Sequence, residues 1–266
     1  MADVVSSLAE LRALFERSIV ARDIAEPFSS FDSDHLASQV RGFMERRDYD
    51  IVGVRQDGVV VGYAARSALT SGSVGDHATK PDPTALVAET EPLVAVVEHL
   101  RETPWLLVTV LGEIGGIITR GDLQKTPVRM WLFGLVSLFE MQMLRLVRER
   151  YPANSWKHLL TTERLANAGG LLDQRKRRNE ALDLADCLQF GDKKRILART
   201  HDLRSALGLK NRDEAEEVIG TLESLRDTLA HSQDLLGEEW PTLADRARLA
   251  ERLVARCEGL RVEDSR

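Results

Sequence analysis

An internal repeat with an offset of 54 residues constrains the fold of this chain more than any other feature. The octet Gly-Ile-Ile-Thr-Arg-Gly-Asp-Leu at 116–123 has an earlier counterpart at 62–69, Gly-Tyr-Ala-Ala-Arg-Ser-Ala-Leu, with Gly, Arg and Leu at matching positions. The same offset aligns the preceding residues without a gap. We therefore expect two copies of one structural unit. Only the second octet contains Thr and Asp, at Thr119 and Asp122.

The pattern of apolar residues predicts the same order of elements in both copies. Each copy begins with an amphipathic helix and continues with two short apolar runs joined by a turn that contains glycine. Asp57-Gly58 between two such runs is typical of a hairpin. Each copy is therefore predicted to be helix–strand–turn–strand–helix. The predicted elements are a helix with Leu36, Val40, Phe43 and Met44 and strands at 51–54 and 59–64 in copy one, and a helix with Leu93, Val96, Val97 and Leu100 and strands at 105–110 and 114–118 in copy two.

The second half of the chain shows helical periodicity and no convincing strand pattern. Pro127 opens a helix over about 127–150, and Pro is well tolerated in a first turn. Because this helix is apolar nearly all round, it is predicted to be buried between domains or between subunits. Further helices are predicted at 156–168, 178–189, 192–206, 212–236 and 242–258. The second half is thus expected to be an all-α bundle.

The predicted fold class is α+β, with tandem repeat units followed by a helical bundle. We place an N-terminal helix at 1–19, with a helical pattern over 6–20 that Ser6 or Ser7 can cap. The repeat pair occupies 20–126, with unit one at 20–72 and unit two at 80–126. Residues 127–266 form the bundle. A stretch rich in Gly, Ser, Asp and Pro, 70–84, is predicted to be a loop between the units.

Composition indicates an ordinary globular protein, since the 266 residues are 43% hydrophobic and 29% charged. The two cysteines, Cys187 and Cys257, form no CxxC pair and are typical of a reducing compartment. The first twenty residues resemble no secretory signal, and the longest apolar run, 130–139, is too short to cross a bilayer. We therefore expect a cytoplasmic protein without a membrane segment. The histidines show no metal-ligand spacing, so no metal site is predicted.

The charge is distributed unevenly along the chain. The net charge is −6, but residues 145–204 contain 14 Lys and Arg against 8 Asp and Glu. Arg175-Lys176-Arg177-Arg178 and Lys193-Lys194-Arg195 form two basic clusters within this segment. Such clusters can contact the phosphates of RNA. The alternative is a solvated helix surface without a polyanionic partner.

The repeat pair resembles a CBS-domain pair, also called a Bateman module, over about residues 20–126. The resemblance rests on the doubled helix–strand–strand–helix unit and on the octet at 116–123. It implies that Thr119 and Asp122 bind the phosphate and ribose of an adenine nucleotide such as AMP, ADP or ATP. Such a nucleotide would be a regulatory ligand, and no cofactor would be required.

The chemistry of the second octet agrees with that expectation. An Asp carboxylate can accept two hydrogen bonds from ribose hydroxyls. Thr119 can donate to a phosphate beside the first amides of the next helix, and Arg120 can add charge-assisted contacts. The alternative is that Thr119 and Asp122 only cap that helix. Copy one has Ala65 and Ala68 at the equivalent positions, so one nucleotide site is expected per chain.

The segment 225–231, Leu-Arg-Asp-Thr-Leu-Ala-His, resembles the signature of HEPN domains, helical bundles that include metal-independent ribonucleases acting as dimers. The motif is an Arg followed by four to six residues and a His, and a polar residue often follows the Arg. The resemblance covers about residues 128–260 and implies that Arg226, Asp227 and His231 form the catalytic site of an endoribonuclease. A His can act as general acid or base, and an Arg can stabilise charge on the phosphoryl oxygens.

Three alternatives accompany this prediction. Arg195 and His201 fit the same motif with five intervening residues. Arg226 borders an apolar stripe and is alternatively a buried structural residue. On a straight helix His231 lies about 140° around the axis from Arg226, so the pair needs a helix end, a bend or a homodimer two-fold to meet.

The resulting prediction is a nucleotide-responsive regulator whose helical half acts on or binds RNA as a homodimer. In this scheme the ligand shifts the packing of the helix that starts at Pro127. The competing prediction is a non-catalytic sensor or scaffold whose bundle binds a protein partner. An open, solvent-accessible groove at Arg226 and His231 favours the first, and burial of both in a core favours the second. A purely structural dimerisation module is less consistent with the intact second octet.

Overall fold

The computed structural model describes residues 7–178, 180–231, 234–235 and 241–260. The chain divides into two compact units, which we call the repeat domain and the helical domain. The repeat domain comprises residues 13–128. Among the described residues, the helical domain comprises 7–12, 129–178, 180–231, 234–235 and 241–260. The predicted fold class, α+β with tandem repeat units and a helical part, is confirmed.

The repeat domain contains two hairpins that follow the 54-residue offset residue for residue. Strands β3 (Ile51–Gln56) and β4 (Val59–Ala65) of copy one correspond to β6 (Trp105–Val110) and β7 (Glu113–Thr119) of copy two. A register shift between Val54 and Arg55 recurs between Val108 and Thr109. The helices before them are α2 (Ala37–Arg47) and α3 (Leu93–Glu102). The repeat is therefore structural and not only a similarity of sequence.

Both hairpin turns place two consecutive residues in the left-handed region. In copy one these are Asp57 (φ 53°) and Gly58 (φ 84°), as expected of an Asp-Gly turn. In copy two they are Leu111 (φ 50°) and Gly112 (φ 88°). Leu111 is 97% exposed, so no burial compensates for its unfavourable backbone conformation.

Replacing Leu111 with Asn is therefore expected to stabilise the protein by about 1 kcal/mol, because Asn tolerates positive φ. Thermal denaturation should show a melting temperature raised by a few degrees. Asp57→Leu, the reverse change at the equivalent turn, should lower it. Equal melting temperatures for wild type and Leu111→Asn would contradict this explanation.

Two small sheets form the centre of the repeat domain. One has the order β2-β3-β4, where β2 is Ser30–Asp32, and β2 pairs parallel with β3. The other has the order β1-β7-β6-β5, where β1 is Glu26–Pro27 and β5 is Leu86–Ala88. These three short strands were not predicted, and neither were the two short 3-10 helices at Val74–His77 and Pro83–Ala85, six of whose seven residues lie in the predicted loop. The β1–β7 pairing joins residues 26 and 117 and so brings the start of the domain to the second hairpin.

The helical domain contains the long helix α4 and several shorter helices, and some of the predicted bounds were wrong. The predicted helix 156–168 is a 3-10 segment, Pro152–Leu159, followed by a separate helix from Thr162, where Thr161 accepts a hydrogen bond from the Arg164 amide. The predicted helix 178–189 is absent over the described residues 180–189, which contain one 3-10 turn, Ala185–Cys187. The predicted helix 192–206 breaks at Thr200, whose hydroxyl donates to the carbonyl of Ile196. The observed helices are α4 (Thr126–Arg150), α5 (Thr162–Lys176), α6 (Phe190–Arg199), α7 (His201–Ala206), α8 (Arg212–Ala230) and α9 (Pro241–Gly259).

The starts of the remaining predicted helices agree with the structure to within about two residues, but the predicted end at 236 was wrong, because residues 231, 234 and 235 are not helical. The first helix, α1, spans Leu8–Ser18, and Ser7 caps it by accepting from the Glu10 amide at 3.1 Å, whereas Ser6 lies outside the described residues. Asn211 caps α8 by accepting from the Glu214 amide at 2.8 Å. Helix α8 ends at Ala230, and residues 232, 233 and 236 of the predicted helix 212–236 are not described.

Helix α4 supplies much of the core of the helical domain but is not buried all round. Phe139 is fully buried, with its ring 6.3 Å from that of Phe190 on α6. Met130, Phe133 and Met141 are about half exposed, so the chain itself does not bury this stripe, and burial between subunits stays a prediction. Among the described residues, α4 is long and apolar enough, by length and composition, to cross a membrane. Its uninterrupted apolar run, 130–139, is shorter than a bilayer requires. Just over half of its most apolar stretch is buried inside the protein, as in the core helix of a globular domain.

Both cysteines are buried and unpaired in the helical domain. Burial raises the pKa of the Cys257 thiol to about 12 and also raises that of Cys187. They therefore behave as small apolar residues, as expected from the sequence.

Candidate functional site

The second octet forms the end of β7 and a short 3-10 helix, Arg120–Gln124. Thr119 and Asp122 form a capping arrangement at the start of this helix. The Thr119 amide donates to Oδ2 of Asp122 at 2.7 Å, and the Thr119 hydroxyl donates to the same oxygen at 2.9 Å. Capping, the structural alternative for these two residues, is therefore present. It leaves the second carboxylate oxygen, Oδ1, for other partners.

Lys125 contacts that second oxygen. Its Nζ lies 2.9 Å from Oδ1 of Asp122, donates to the carbonyl of Ile24 at 2.7 Å and also contacts Glu26. Burial of the ammonium group opposes its charge, but the hydrogen bonds to Glu26 and Asp122 outweigh this effect and raise the pKa of Lys125. Lys125 therefore remains cationic at neutral pH. A carboxylate has about four acceptor positions, so Asp122 retains about one for a ligand while Lys125 is in place.

A pocket of about 800 Å³ lies beside this helix, and Thr119, Arg120 and Asp122 all line it. Asp122 is only 7% exposed, so it is buried at the lining of the pocket. Much of the remaining lining is apolar. Its apolar residues are Pro27, Phe28, Tyr49, Ile51, Pro104, Trp105 and Ile117. The structure thus brings the three predicted ligand-binding residues together in one concave site, which has the size of a small-molecule pocket.

The two repeats contribute matching residues to one wall of the pocket. Ile51 and Trp105 begin equivalent strands and both line it. Trp105 is half-buried, and its ring packs edge-on against Tyr63 at 4.9 Å between centroids. Phe28 and Ile51, which line the pocket, form a buried apolar cluster with Leu107. The wall is therefore fixed by packing and available to a flat aromatic ligand.

Copy one lacks the polar end of such a site. Ala65 and Ala68 occupy the positions of Thr119 and Asp122, and neither lines the pocket. Arg66, the equivalent of Arg120, instead contacts Asp48 at 3.2 Å and Asp50 at 2.8 Å. Both carboxylates lie on the pocket lining and are largely exposed.

The sequence analysis missed the segments 26–29 and 47–51, which complete the pocket. The segment 26–29 lies at the pocket because β1 pairs with β7, which joins residues about ninety positions apart in the sequence. The Glu-Pro dipeptide is a weak signal for an extended edge segment, since Pro disfavours helix in the residue before it. The segment 47–51 runs from the last residue of α2 to the first residue of β3, and Asp48, at positive φ, marks the end of the helix. No local pattern connects either segment to the octet.

In the helical domain, the predicted catalytic residues lie at the end of α8. Arg226 is not buried, and its guanidinium contacts the neighbouring carboxylate of Asp227 at 2.9 Å. His231 directly follows the last helical residue, is exposed, and donates its amide to the carbonyl of Asp227 at 3.1 Å. The helix therefore ends where the sequence argument required an end or a bend. The competing pair is also accessible, because Arg195 is half-buried and His201 is exposed at the start of α7.

The two basic clusters differ in their surroundings. Lys176, Arg177 and Arg178 are exposed at the end of α5. Lys193, in contrast, is 6% exposed and donates to Glu140 at 2.7 Å, and Lys194 pairs with Glu223. Two of the three side chains of the second cluster, Lys193 and Lys194, thus have carboxylate partners in the fold, so the prediction of phosphate contacts depends on Arg195 and on the first cluster.

A second pocket, of about 570 Å³, lies between α5 and the start of α6. Its charged groups include Glu163, Arg164 and Asp192, and Arg164 contacts Asp192 at 2.5 Å. Among the residues that the structure describes, no group of three or more His, Cys, Asp or Glu side chains is arranged to hold a metal ion.

No protein-family model matches the chain, and no curated protein sequence matches it. Several solved structures are similar to part of it. One is the CBS domain of a bacterial CNNM/CorC family Mg²⁺ transporter in complex with ATP, which is 17% identical over 44% of this chain and 92% of that chain, with a TM-score of 0.36. Another is a hemolysin-like protein containing a CBS domain from Oenococcus oeni PSU, 19% identical over 44% of this chain and 96% of that chain, with a TM-score of 0.34. A third is CBSX2 in complex with AMP, 18% identical over 42% of this chain and 97% of that chain, with a TM-score of 0.37.

Proposed function

We propose that the repeat domain is a regulatory module that binds one adenine nucleotide per chain in the pocket lined by Thr119, Arg120 and Asp122. The observation that carries this proposal is the composition of that single pocket. It combines the hydroxyl, guanidinium and carboxylate of the octet with an apolar wall at Ile51 and Trp105. The sequence resemblance to CBS-domain pairs independently selects the same octet.

Each part of a nucleotide has a matching group in the pocket. The apolar wall accommodates the base, because an aromatic base gains from contact with a tryptophan ring and aliphatic carbons. Asp122 accepts a ribose hydroxyl at its remaining acceptor position on Oδ1. The Arg120 guanidinium donates charge-assisted hydrogen bonds to the phosphate, while the Thr119 hydroxyl, whose proton goes to Asp122, orients that carboxylate beside it.

The chain itself connects this pocket to the helical domain. Lys125 holds Asp122 and Glu26, and α4 begins at the next residue, Thr126. A ligand that competes with Lys125 for Asp122 would therefore act directly before the helix that supplies the core of the second domain. Regulation in this sense requires that the ligand bind two conformations with different affinities.

Titration calorimetry of AMP into the full chain tests the proposal. We expect one site per chain, because only copy two has the Thr and Asp of the octet. If neither AMP nor adenosine produced heat of binding up to millimolar concentration, nucleotide binding would be contradicted. Two equal sites per chain would contradict the assignment to copy two.

For the helical domain we propose a metal-independent endoribonuclease activity at Arg226, Asp227 and His231 in a homodimer. The observation that favours it is the position of the two residues: α8 ends at Ala230, His231 directly follows it and is exposed, and Arg226 is about half exposed near the end of the helix. The competing proposal is a non-catalytic surface that binds a protein partner, and it would be favoured by burial of both residues, which is not observed.

Replacing His231 with Ala is expected to lower the rate of RNA cleavage by a factor of about 10² to 10⁴, the usual contribution of a general acid or base. Cleavage of a fluorescent RNA in EDTA measures it. His201→Ala is the matched control and should retain the wild-type rate. Loss of activity in His201→Ala instead would assign the chemistry to the Arg195 pair, and no cleavage by the wild type would leave the partner-binding surface as the function.

A further inference from the structure

We propose that helix α4 packs antiparallel against α4 of a second copy of this chain, on a two-fold axis at Ser137. This inference rests on the homodimer proposed for the helical domain and names its surface. It depends on a row of mostly apolar residues along one face of the helix. We call these residues the α4 stripe: Met130, Phe133, Ser137, Met141 and Leu144.

The α4 stripe is continuous and reaches solvent. At about 100° per residue, its members lie within about 40° of Ser137 around the helix axis, and they extend over about 21 Å. Met130, Phe133 and Met141 are about half exposed, and Ser137 and Leu144 are partly exposed. A contiguous apolar surface of this kind on a globular domain is typical of an interaction site.

The order of residues in the stripe is symmetric about its centre. Met130 and Leu144 lie seven residues before and after Ser137. Phe133 and Met141 lie four residues before and after it. A two-fold axis perpendicular to α4 at Ser137 therefore places each apolar residue of the stripe opposite an apolar residue of the second copy. The stripe is complementary to itself in this arrangement, the small Ser137 side chain lies where the helices are closest, and the helix dipoles oppose each other.

The charged side chains at the edges of the stripe have partners within the same chain. Glu140 accepts a hydrogen bond from Lys193 at 2.7 Å, and Arg145 contacts Glu149 at 2.7 Å. The stripe itself contains no charged residue. Contact with an apolar surface therefore leaves neither of these edge charges buried without a counterion, which would otherwise oppose association.

The narrow shape of the α4 stripe sets the strength of the dimer. One helix face about 21 Å long contributes less than the roughly 800 Å² per partner of a standard interface. We therefore expect a reversible dimer with a dissociation constant of about 10 to 100 μM.

Sedimentation equilibrium of the full chain measures this association. Met141→Glu places a charge in the interface twice per dimer, so it should raise the dissociation constant at least about a hundredfold. Leu111→Glu is the matched control, because it introduces the same charge at a side chain that is 97% exposed in the repeat domain. It should dimerise as the wild type does.

Cross-linking with a short bis-maleimide reports the orientation of the two helices, because both native cysteines are buried. Ser137→Cys should cross-link with itself, since it lies on the axis. A mixture of Met130→Cys and Leu144→Cys proteins should cross-link as well. Met130→Cys alone should not, because its two copies lie about 21 Å apart along the helices.

Four results would overturn the inference. The wild type could stay monomeric well above the expected range, or Met141→Glu could leave a dimer intact. Cross-linking of Met130→Cys with itself would indicate a parallel contact instead. Monomeric protein that sediments with phosphatidylcholine vesicles, unless Met141→Glu is present, would assign the stripe to a lipid surface.

RNA cleavage separates this inference from the function on which it rests. Cleavage by a strictly monomeric wild type would exclude the α4 contact and leave the nuclease proposal in place. A dimer that Met141→Glu separates, in a wild type that cleaves no RNA, would support the contact and contradict the nuclease.

Discussion

Replacing Asp122 with Ala is expected to weaken AMP binding by a factor of about 10 to 100. The buried carboxylate makes a charge-assisted hydrogen bond to the ribose, and such bonds contribute about 1.5–3 kcal/mol. The same variant should also lose stability, because the amide and hydroxyl of Thr119 lose their acceptor and Lys125 loses one of its two carboxylates. Calorimetric titration and chemical denaturation of the variant measure the two effects separately.

The chain provides a matched control for this variant. Ser73 and Asp76 form the same capping arrangement elsewhere in the repeat domain, with the Ser73 amide and hydroxyl donating to Oδ2 of Asp76 at 2.8 and 2.9 Å. These hydrogen bonds lower the pKa of Asp76, the one from the backbone amide most. Asp76 does not line the pocket. Asp76→Ala should therefore lose capping while retaining AMP affinity.

This comparison separates ligand binding from capping. If both variants bind AMP as the wild type does, Asp122 serves only as a helix cap. If both lose affinity equally, the effect arises from the stability of the domain and not from a contact with the ligand.

Replacing Phe139 with Ala is expected to lower the free energy of unfolding of the helical domain by about 3–5 kcal/mol. The side chain is fully buried on α4 and packs near the ring of Phe190. Removing it leaves a cavity that the surrounding helices fill only in part. Urea denaturation followed by circular dichroism measures the change.

Phe133→Ala is the control, because it makes the same chemical change on the same helix at a side chain that is 46% exposed. It should cost less than about 1 kcal/mol, since little apolar surface is lost from the core. Similar losses for the two variants would mean that the exposed stripe of α4 is covered in solution.

The elements of the repeat domain were predictable because they follow local patterns. Alternating apolar runs, the Asp57-Gly58 turn and the 54-residue offset located both hairpins to within a residue or two. Local patterns failed where a long-range contact decides the structure. The strand β1 exists only because Glu26 and Pro27 pair with β7, and nothing near them in the sequence indicates that partner.

In the helical half, apolar periodicity was a less reliable guide. The stretch 180–189 has apolar residues at helical spacing, yet it is mostly irregular, and Arg148 contacts Asp183 and Asp186 there. A polar tertiary contact of this kind competes with helix formation and is invisible to a pattern of hydrophobicity.

For the candidate site, the sequence identified the octet but not what surrounds it. Thr119, Arg120 and Asp122 were found from the repeat, and the structure places all three in one pocket. Lys125 was not predicted, although it occupies one oxygen of Asp122 and so limits what that carboxylate can bind. Its role depends on Glu26 and Ile24, which approach only through the fold.

A crystal structure of the full chain grown with saturating AMP tests the central claim most directly. The account predicts one AMP per chain, with the base against Trp105 and Ile51, a ribose hydroxyl on Asp122, and the phosphate beside Thr119 and Arg120. An empty pocket, or AMP bound at the Ala65 and Ala68 positions of copy one, would contradict it.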